Sequence, residues 1–178
     1  MRPGRVMSDT ASLTRFQRLL LGTDGTVTHI LEAYAGETME VVKLLQVSDV
    51  SKDGDADLLL DAGEKVLRRR VVLRGRLSRT NFLYAEAVVV LGRVQPSFLD
   101  RLAGTDKPIG VLLAEDRTET FREILHVGRE PAGSCGAHFG VDTTDELLSR
   151  TYRIVVRQQP VILITERFPP EFFRGLPA

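Results

Sequence analysis

Residues 66–74, VLRRRVVLR, and residues 82–91, FLYAEAVVVL, carry the strongest patterns in the chain. Both runs are rich in β-branched and aromatic residues, and a polar turn joins them, so they read as an antiparallel hairpin. Alternation places Leu67, Arg69, Val71 and Leu73 on one face and Arg68, Arg70, Val72 and Arg74 on the other. Arg68, Arg70 and Arg74 belong to a solvated face. Arg69 is the misfit, an arginine aligned with the apolar side of its own strand.

Working outward, a second hairpin is predicted at the C-terminal end, where RTYRIVVRQQPVILITERFPPEFF holds two strands around Gln158, Gln159 and Pro160. The same count groups Ile162, Ile164, Glu166 and Phe168, which puts a carboxylate on an apolar row. The opposite row, Val161, Leu163, Thr165 and Arg167, is nearly as apolar at its start. ETMEVVKLLQV reads as a further strand, residues 118–128 as strand in preference to helix, and the acidic stretch 48–65 as a connection with a helical turn near Leu58 to Leu60. Helical spacing appears at Leu13, Phe16, Leu19 and Leu20, stopped by Gly22, and again at Val27, Ile30, Leu31 and Tyr34, closed by Gly36. QPSFLDRLAG is a short helix with proline near its start, KPIGVLLAED a helical piece or a loop, and the Gly-rich residues 129–147 a loop. Strands grouped in hairpins, with helices at the front and on connections, predict an α+β antiparallel sheet and exclude a βαβ repeat.

A chain of 178 residues, 43 % hydrophobic, fits one domain able to bury its own core. The expected division is a flexible N-terminus over residues 1–12 and a single domain over 13–178. Lysine plus arginine and aspartate plus glutamate are 24 each, so no global field draws nucleic acid or an anionic membrane. A lone cysteine, Cys135, excludes an internal disulfide framework and points to a reducing compartment. No segment reaches the roughly 18 apolar residues of a membrane span. A cytoplasmic protein is the expectation.

Arg69 and Glu166 need partners if both face an interior. Either they neutralise each other or backbone groups, or they line a cavity, with Arg69 binding a substrate carboxylate and Glu166 doing acid–base work or accepting from a hydroxyl. Pattern alone leaves both open. Glu86, at the centre of its strand beside Phe82 and Val88, is either another pocket carboxylate or a cross-strand partner of an arginine such as Arg70. Asp53, Asp55, Asp57, Asp61 and Glu64 have the spacing of a calcium loop, but Leu58 stands where that loop needs glycine, so a solvated acidic loop is the default. Cys135 and His138 have the types of a nucleophile and base, yet three residues apart in a glycine-rich loop they read as incidental. His29, His126 and His138 show no paired metal-ligand spacing, and no metal site is expected.

The ordered set LLLGTDGTVTHIL, RRRVVLRG, FLYAEAVVVL, TDKPIGVLLAEDRTETFREI and RTYRIVVRQQPVILITERF resembles the chorismate pyruvate-lyase (4-hydroxybenzoate synthase) family, in particular its actinobacterial branch, over residues 13–174. The resemblance implies a monomeric α+β domain with a six-stranded antiparallel sheet, a ligand enclosed under helical flaps, no cofactor, and elimination of pyruvate from chorismate. It implies that Arg69 binds the ring carboxylate and that Glu166 faces the C4 hydroxyl as acid or base. Two backbone amides, near Val27 and Ile109, are implied as further carboxylate donors. Thr120 and Arg122 lie in a matching stretch without an assigned contact. Transcription factors share this fold as an effector-binding domain, but the basic surface and helix-turn-helix they use are missing here, which argues against a DNA-binding regulator. The alternative is a repurposed family member that binds an aromatic acid, or runs a different reaction, in specialised metabolism.

Overall fold

The computed structural model describes residues 6–7 and 12–174. Its first strand, β1, is the two-residue Val6–Met7, so of the predicted N-terminal stretch this piece pairs with the sheet and most of the remainder lies outside the described residues. Helix α1 (Arg15–Gly22) begins at a capping box: the Thr14 hydroxyl accepts from the Gln17 amide, and the Gln17 side chain accepts from the Thr14 amide. Helix α2 (Val27–Ala35) ends at Gly36, whose φ of 69° is the left-handed stop that glycine adopts without a Cβ clash.

Strand β2 (Met39–Val50) leads into the acidic connection, which is a series of turns with no helix. Its carboxylates serve the loop itself. Asp55 accepts from the amides of Asp57 and Leu58, and Glu64 accepts from the Asp61 amide and from Arg93. The predicted hairpin follows as β3 (Lys65–Gly75) and β4 (Asn81–Val90). Helix α3 (Pro96–Gly104) has its proline in the first turn, where a missing amide costs nothing. KPIGVLLAED resolves as helix α4 (Ile109–Glu115), entered through Pro108.

Strand β5 (Phe121–Pro131) agrees with the strand reading of residues 118–128, shifted forward by three residues at each end. The loop predicted over 129–147 contains a 3-10 turn, Gly133–His138, and is shorter than read, because β6 (Glu146–Val156) starts four residues before Arg150. Strand β7 (Gln159–Phe168) returns after a two-residue turn at Arg157 and Gln158, with φ of 49° and 66°. Two positive φ values match the twist of the flanking strands, and Gln159 and Pro160 therefore already belong to β7.

The sheet order is β1-β5-β6-β7-β4-β3-β2, with six long strands antiparallel throughout and only β1 parallel to its neighbour. This is the predicted α+β architecture with a six-stranded antiparallel sheet. One face carries two apolar clusters, the first built on Leu20, Leu21, Leu31, Leu73, Leu83 and Phe168, the second on Leu102, Leu112, Ile154, Ile162 and Ile164. Helices α1 and α2 cover the first and α3 and α4 the second. The reverse face is not simply solvated, since Val72, Tyr84, Ala132, Cys135 and Leu147 pack there under the 129–145 connection.

Candidate active site

A cavity of about 570 Å³, its mouth included, lies between the sheet and the N-terminal ends of α2 and α4. The floor is apolar, with Val71 and Leu73 from β3, Ala85 and Ala87 from β4 and Ile164 from β7. Arg69, Glu166, Val27 and Ile109 all line it, so four of the five residues singled out in the sequence converge on one space.

Arg69 is 3 % exposed. Its Nη2 donates to the Lys107 carbonyl at 3.2 Å, while Nε and Nη1 are buried without a hydrogen-bond partner among the described residues. Burial holds its pKa below the usual arginine value, and the charge of Asp106 opposes that only in part. Asp106 is itself paired with Lys43 at 3.3 Å. A buried guanidinium with unmet donors facing a cavity is costly unless an acceptor arrives.

Glu166 does not supply that acceptor. It is 4 % exposed, and its Oε2 accepts from Arg150 Nε at 2.6 Å while its Oε1 accepts from the Tyr152 hydroxyl at 3.0 Å. Arg150 is 1 % exposed and passes its remaining donors to the front of the molecule, Nη1 reaching the carbonyls of Leu20 at 2.6 Å and Thr23 at 2.8 Å. The guanidinium also lies 5.1 Å from the centre of the Tyr152 ring. Tyr152 is buried, and desolvation together with the neighbouring Glu166 charge pushes its pKa far above the ordinary phenol value, so its hydroxyl stays a donor.

Val27 and Ile109 are the first residues of α2 and α4, and neither helix has a side-chain cap, so amides of both first turns are left for other acceptors. The two helix starts meet at Gly110. A Cβ built there would come within 3.0 Å of Arg122 Nη2 and 3.6 Å of Thr26. Arg122 Nη1 in turn donates to the carbonyls of Asp24, at 2.8 Å, and Gly25.

Glu86 is a correction to the sequence reading. Neighbouring strand residues face opposite ways, so with Ala85 and Ala87 in the cavity Glu86 stands on the reverse face, where it accepts from the Tyr84 hydroxyl at 2.8 Å and pairs with Arg70 at 3.2 Å and Arg167 at 3.4 Å. The alternative weighed for it, a cross-strand arginine partner, is the one realised. Cys135 is also remote from the cavity; it is buried, its thiol donates to the Ala132 carbonyl at 2.9 Å, and burial raises its pKa. His138 stacks on Tyr84, 5.6 Å between ring centres. Thr120 lies outside the cavity, whereas Arg122 lines it. Arg150 and Tyr152 were missed, although Leu148, Arg150, Tyr152 and Ile154 form an alternating row that marks Arg150 by the same misfit as Arg69.

Sheet, covering helices and a cavity that sets Arg69, without an acidic hydrogen-bond partner among the described residues, beside the braced Glu166 carboxylate define an α+β domain with one small internal site. The family model described as "Chorismate pyruvate-lyase Rv2949c-like" matches residues 20–176. The chain is 32 % identical over 170 residues to the chorismate pyruvate-lyase of Mycobacterium tuberculosis, covering 93 % of this chain and 85 % of that one. It is 32 % identical over 168 residues to the chorismate pyruvate-lyase of Mycobacterium leprae, covering 93 % and 79 %. It therefore belongs to the Rv2949c-like chorismate pyruvate-lyase family and is an enzyme of the lyase class. Among solved structures, PhnF from Mycobacterium smegmatis superposes with a TM-score of 0.66 at 13 % identity, over 87 % of this chain and 67 % of that one. The C-terminal domain of the histidine utilization repressor from Pseudomonas syringae gives 0.59 at 15 % identity, over 79 % and 96 %. At such identities the likeness concerns the fold alone. No helix among the described residues is long and apolar enough to cross a membrane.

Proposed function

We propose that the protein is a chorismate pyruvate-lyase that converts chorismate to 4-hydroxybenzoate and pyruvate. The observation that carries this reading is the separation of the two misfits: Glu166 is satisfied by Arg150 and Tyr152, and Arg69 is left with two buried, unmet donor nitrogens facing an apolar cavity. A planar carboxylate on a ring fits the Arg69 fork, and the first-turn amides at Val27 and Ile109 add donors that need no counter-charge.

The chemistry asks little more of the chain. Removal of the C4 proton sends the C–H electron pair into the ring, the C3–O bond breaks with its pair on the enolpyruvate oxygen, and the ring becomes aromatic. Enolpyruvate takes a proton and ketonises to pyruvate. Glu166 is the base in this reading. Each of its oxygens already accepts one hydrogen bond, which fixes the carboxylate while leaving lone pairs for the C4 proton or hydroxyl. Tyr152 and Arg150 orient it. Aromatisation supplies the driving force, so positioning and exclusion of water are the protein's main contributions, and no cofactor is required. We assign the protein to the cytoplasm as a monomer, with a small-molecule substrate and neither nucleic acid nor membrane as partner.

The test is direct. Purified protein incubated with chorismate should release pyruvate and 4-hydroxybenzoate in equal amounts. No pyruvate above background would reject the lyase reading in favour of a binding or repurposed member, and a hydroxyl at another ring position would redirect the elimination.

A further inference from the structure

We propose that Arg122 is a second anion-binding residue of the cavity, holding the carboxylate of the enolpyruvyl group, so that the site selects a ring bearing two carboxylates. This rests on the lyase reading given above.

Sheet register places Arg122 opposite the known misfit. Arg69 on β3 pairs with Ala87 on β4, Ala87 with Ile164 on β7, Ile164 with Tyr152 on β6, and Tyr152 with Ile124 on β5. Arg122 lies two residues from Ile124 and so on the same face. The two arginines therefore stand on the outer strands of a five-strand span, about 19 Å across at roughly 4.8 Å per strand, with Arg122 two residues along β5 from the row that starts at Arg69. Both line the same cavity, with its apolar floor between the strands that carry them. Between them stand Glu166, on the middle strand of the five, and Tyr152, on the strand next to β5; the Arg122 guanidinium lies 5.9 Å from the centre of the Tyr152 ring. With the ring carboxylate on Arg69 and C4 at Glu166, an enolpyruvyl arm on C3 turned to the Tyr152 side of the cavity meets Arg122.

Charge points the same way. Arg150 and Glu166 neutralise each other, and among the described residues neither Arg69 nor Arg122 has an acidic partner in an ion pair. The cavity thus presents two arginines without a direct ion-pair partner among the described residues, Asp106 acting on Arg69 only from a distance, which match a dianion better than a monoanion such as the aromatic product. Arg122 Nη1 is occupied by the carbonyls of Asp24 and Gly25, which fixes the guanidinium, and Nη2 lies beside Gly110, where a Cβ would crowd it at 3.0 Å. When the C3–O bond breaks, the electron pair departs with enolpyruvate, whose carboxylate Arg122 already holds. The C4 proton on Glu166 is then available to the enolpyruvate, and the balance closes on pyruvate.

The test compares two ligands in R122Q and wild type: KM for chorismate from pyruvate release, and Kd for 4-hydroxybenzoate by calorimetry. The expected result is a KM for chorismate raised about tenfold or more with 4-hydroxybenzoate affinity changed by no more than about twofold, the loss typical of one hydrogen bond to a charged group at a half-buried arginine. Equal loss for both ligands would mean that Arg122 only fastens the flap, and no loss for either would mean that it touches no substrate; both overturn the proposal. If R122Q binds neither ligand, R122K decides, with recovery of chorismate binding over R122Q supporting the charge role and no recovery overturning it. Wild-type protein that releases no pyruvate rejects the lyase reading separately. Arg122 is then judged on direct binding alone: a wild-type preference for chorismate over 4-hydroxybenzoate that R122Q loses upholds it, and the lack of that preference refutes it.

Discussion

Arg150 Nε lies 2.6 Å from Glu166 Oε2, and this pair, with both side chains no more than 5 % exposed, takes the place of the direct Arg69–Glu166 bridge that alternation alone allows. The two residues face each other across β6 and β7 in register, so the sheet itself sets the contact. Its consequence is a division of labour in which one arginine braces the carboxylate and the other remains free for a ligand.

Glu166→Gln should lower kcat by at least about 100-fold, in the range typical of losing a general base, while leaving chorismate affinity within a few-fold. Glutamine keeps an acceptor for Arg150 but removes its counter-charge, so a modest loss of thermal stability accompanies the change. Steady-state kinetics alongside a melting curve separate the two effects. Unchanged kcat in a folded variant would remove Glu166 from the chemistry.

Arg150→Met acts on stability first. It leaves Glu166 buried without its cation and frees the carbonyls of Leu20 and Thr23, so the expected cost is about 3–5 kcal/mol, read from chemical denaturation. A loss below about 1 kcal/mol would show that the pair contributes nothing net.

Arg69→Met should do the reverse. The arginine is buried with unmet donors and no acidic partner, so an apolar side chain of similar length should leave the free protein as stable or stabilise it by about 1 kcal/mol, while KM for chorismate rises by two orders of magnitude or so. Binding energy for the substrate carboxylate would then be stored as a destabilised free site. A variant that melts well below wild type would show instead that Arg69 serves the fold.

Both misfits were legible in the sequence because a strand has a strict period of two and a charge on its apolar row stands out. Arg69 and Glu166 were found that way, and Val27 and Ile109 through the resemblance. Arg150 carries the same signal, but the sequence pattern makes it the first residue of its strand, where alternation has no preceding member to judge it by; the start at Glu146 places it mid-strand. Glu86 was misplaced for a related reason. Its strand is apolar on both rows, and only the pairing with β3 and β7 tells which face meets the helices. Partners such as Leu20 O for Arg150, 130 positions apart in the chain, belong to the tertiary fold and have no local pattern.

Alkaline pH should reveal the reverse face of the sheet. Tyr84 is 5 % exposed, and burial, reinforced by its hydrogen bond to Glu86 and the Glu86 charge, raises its pKa from 10.0 to about 12, with Arg70 opposing. A tyrosine whose folded pKa is raised resists ionising in the native state but not in the unfolded chain. Its contribution to stability is therefore fully present below about pH 10 and is lost as the pH climbs from 10 toward 12. Tyr84→Phe removes this linkage while leaving Glu86 paired with Arg70 and Arg167. Denaturation midpoints measured from pH 8 to 12 should fall less steeply above pH 10 for the phenylalanine variant than for wild type. Tyr152 titrates identically in both proteins, so the difference between the two curves belongs to Tyr84, and coincident curves would show that its hydroxyl is not held neutral by the fold.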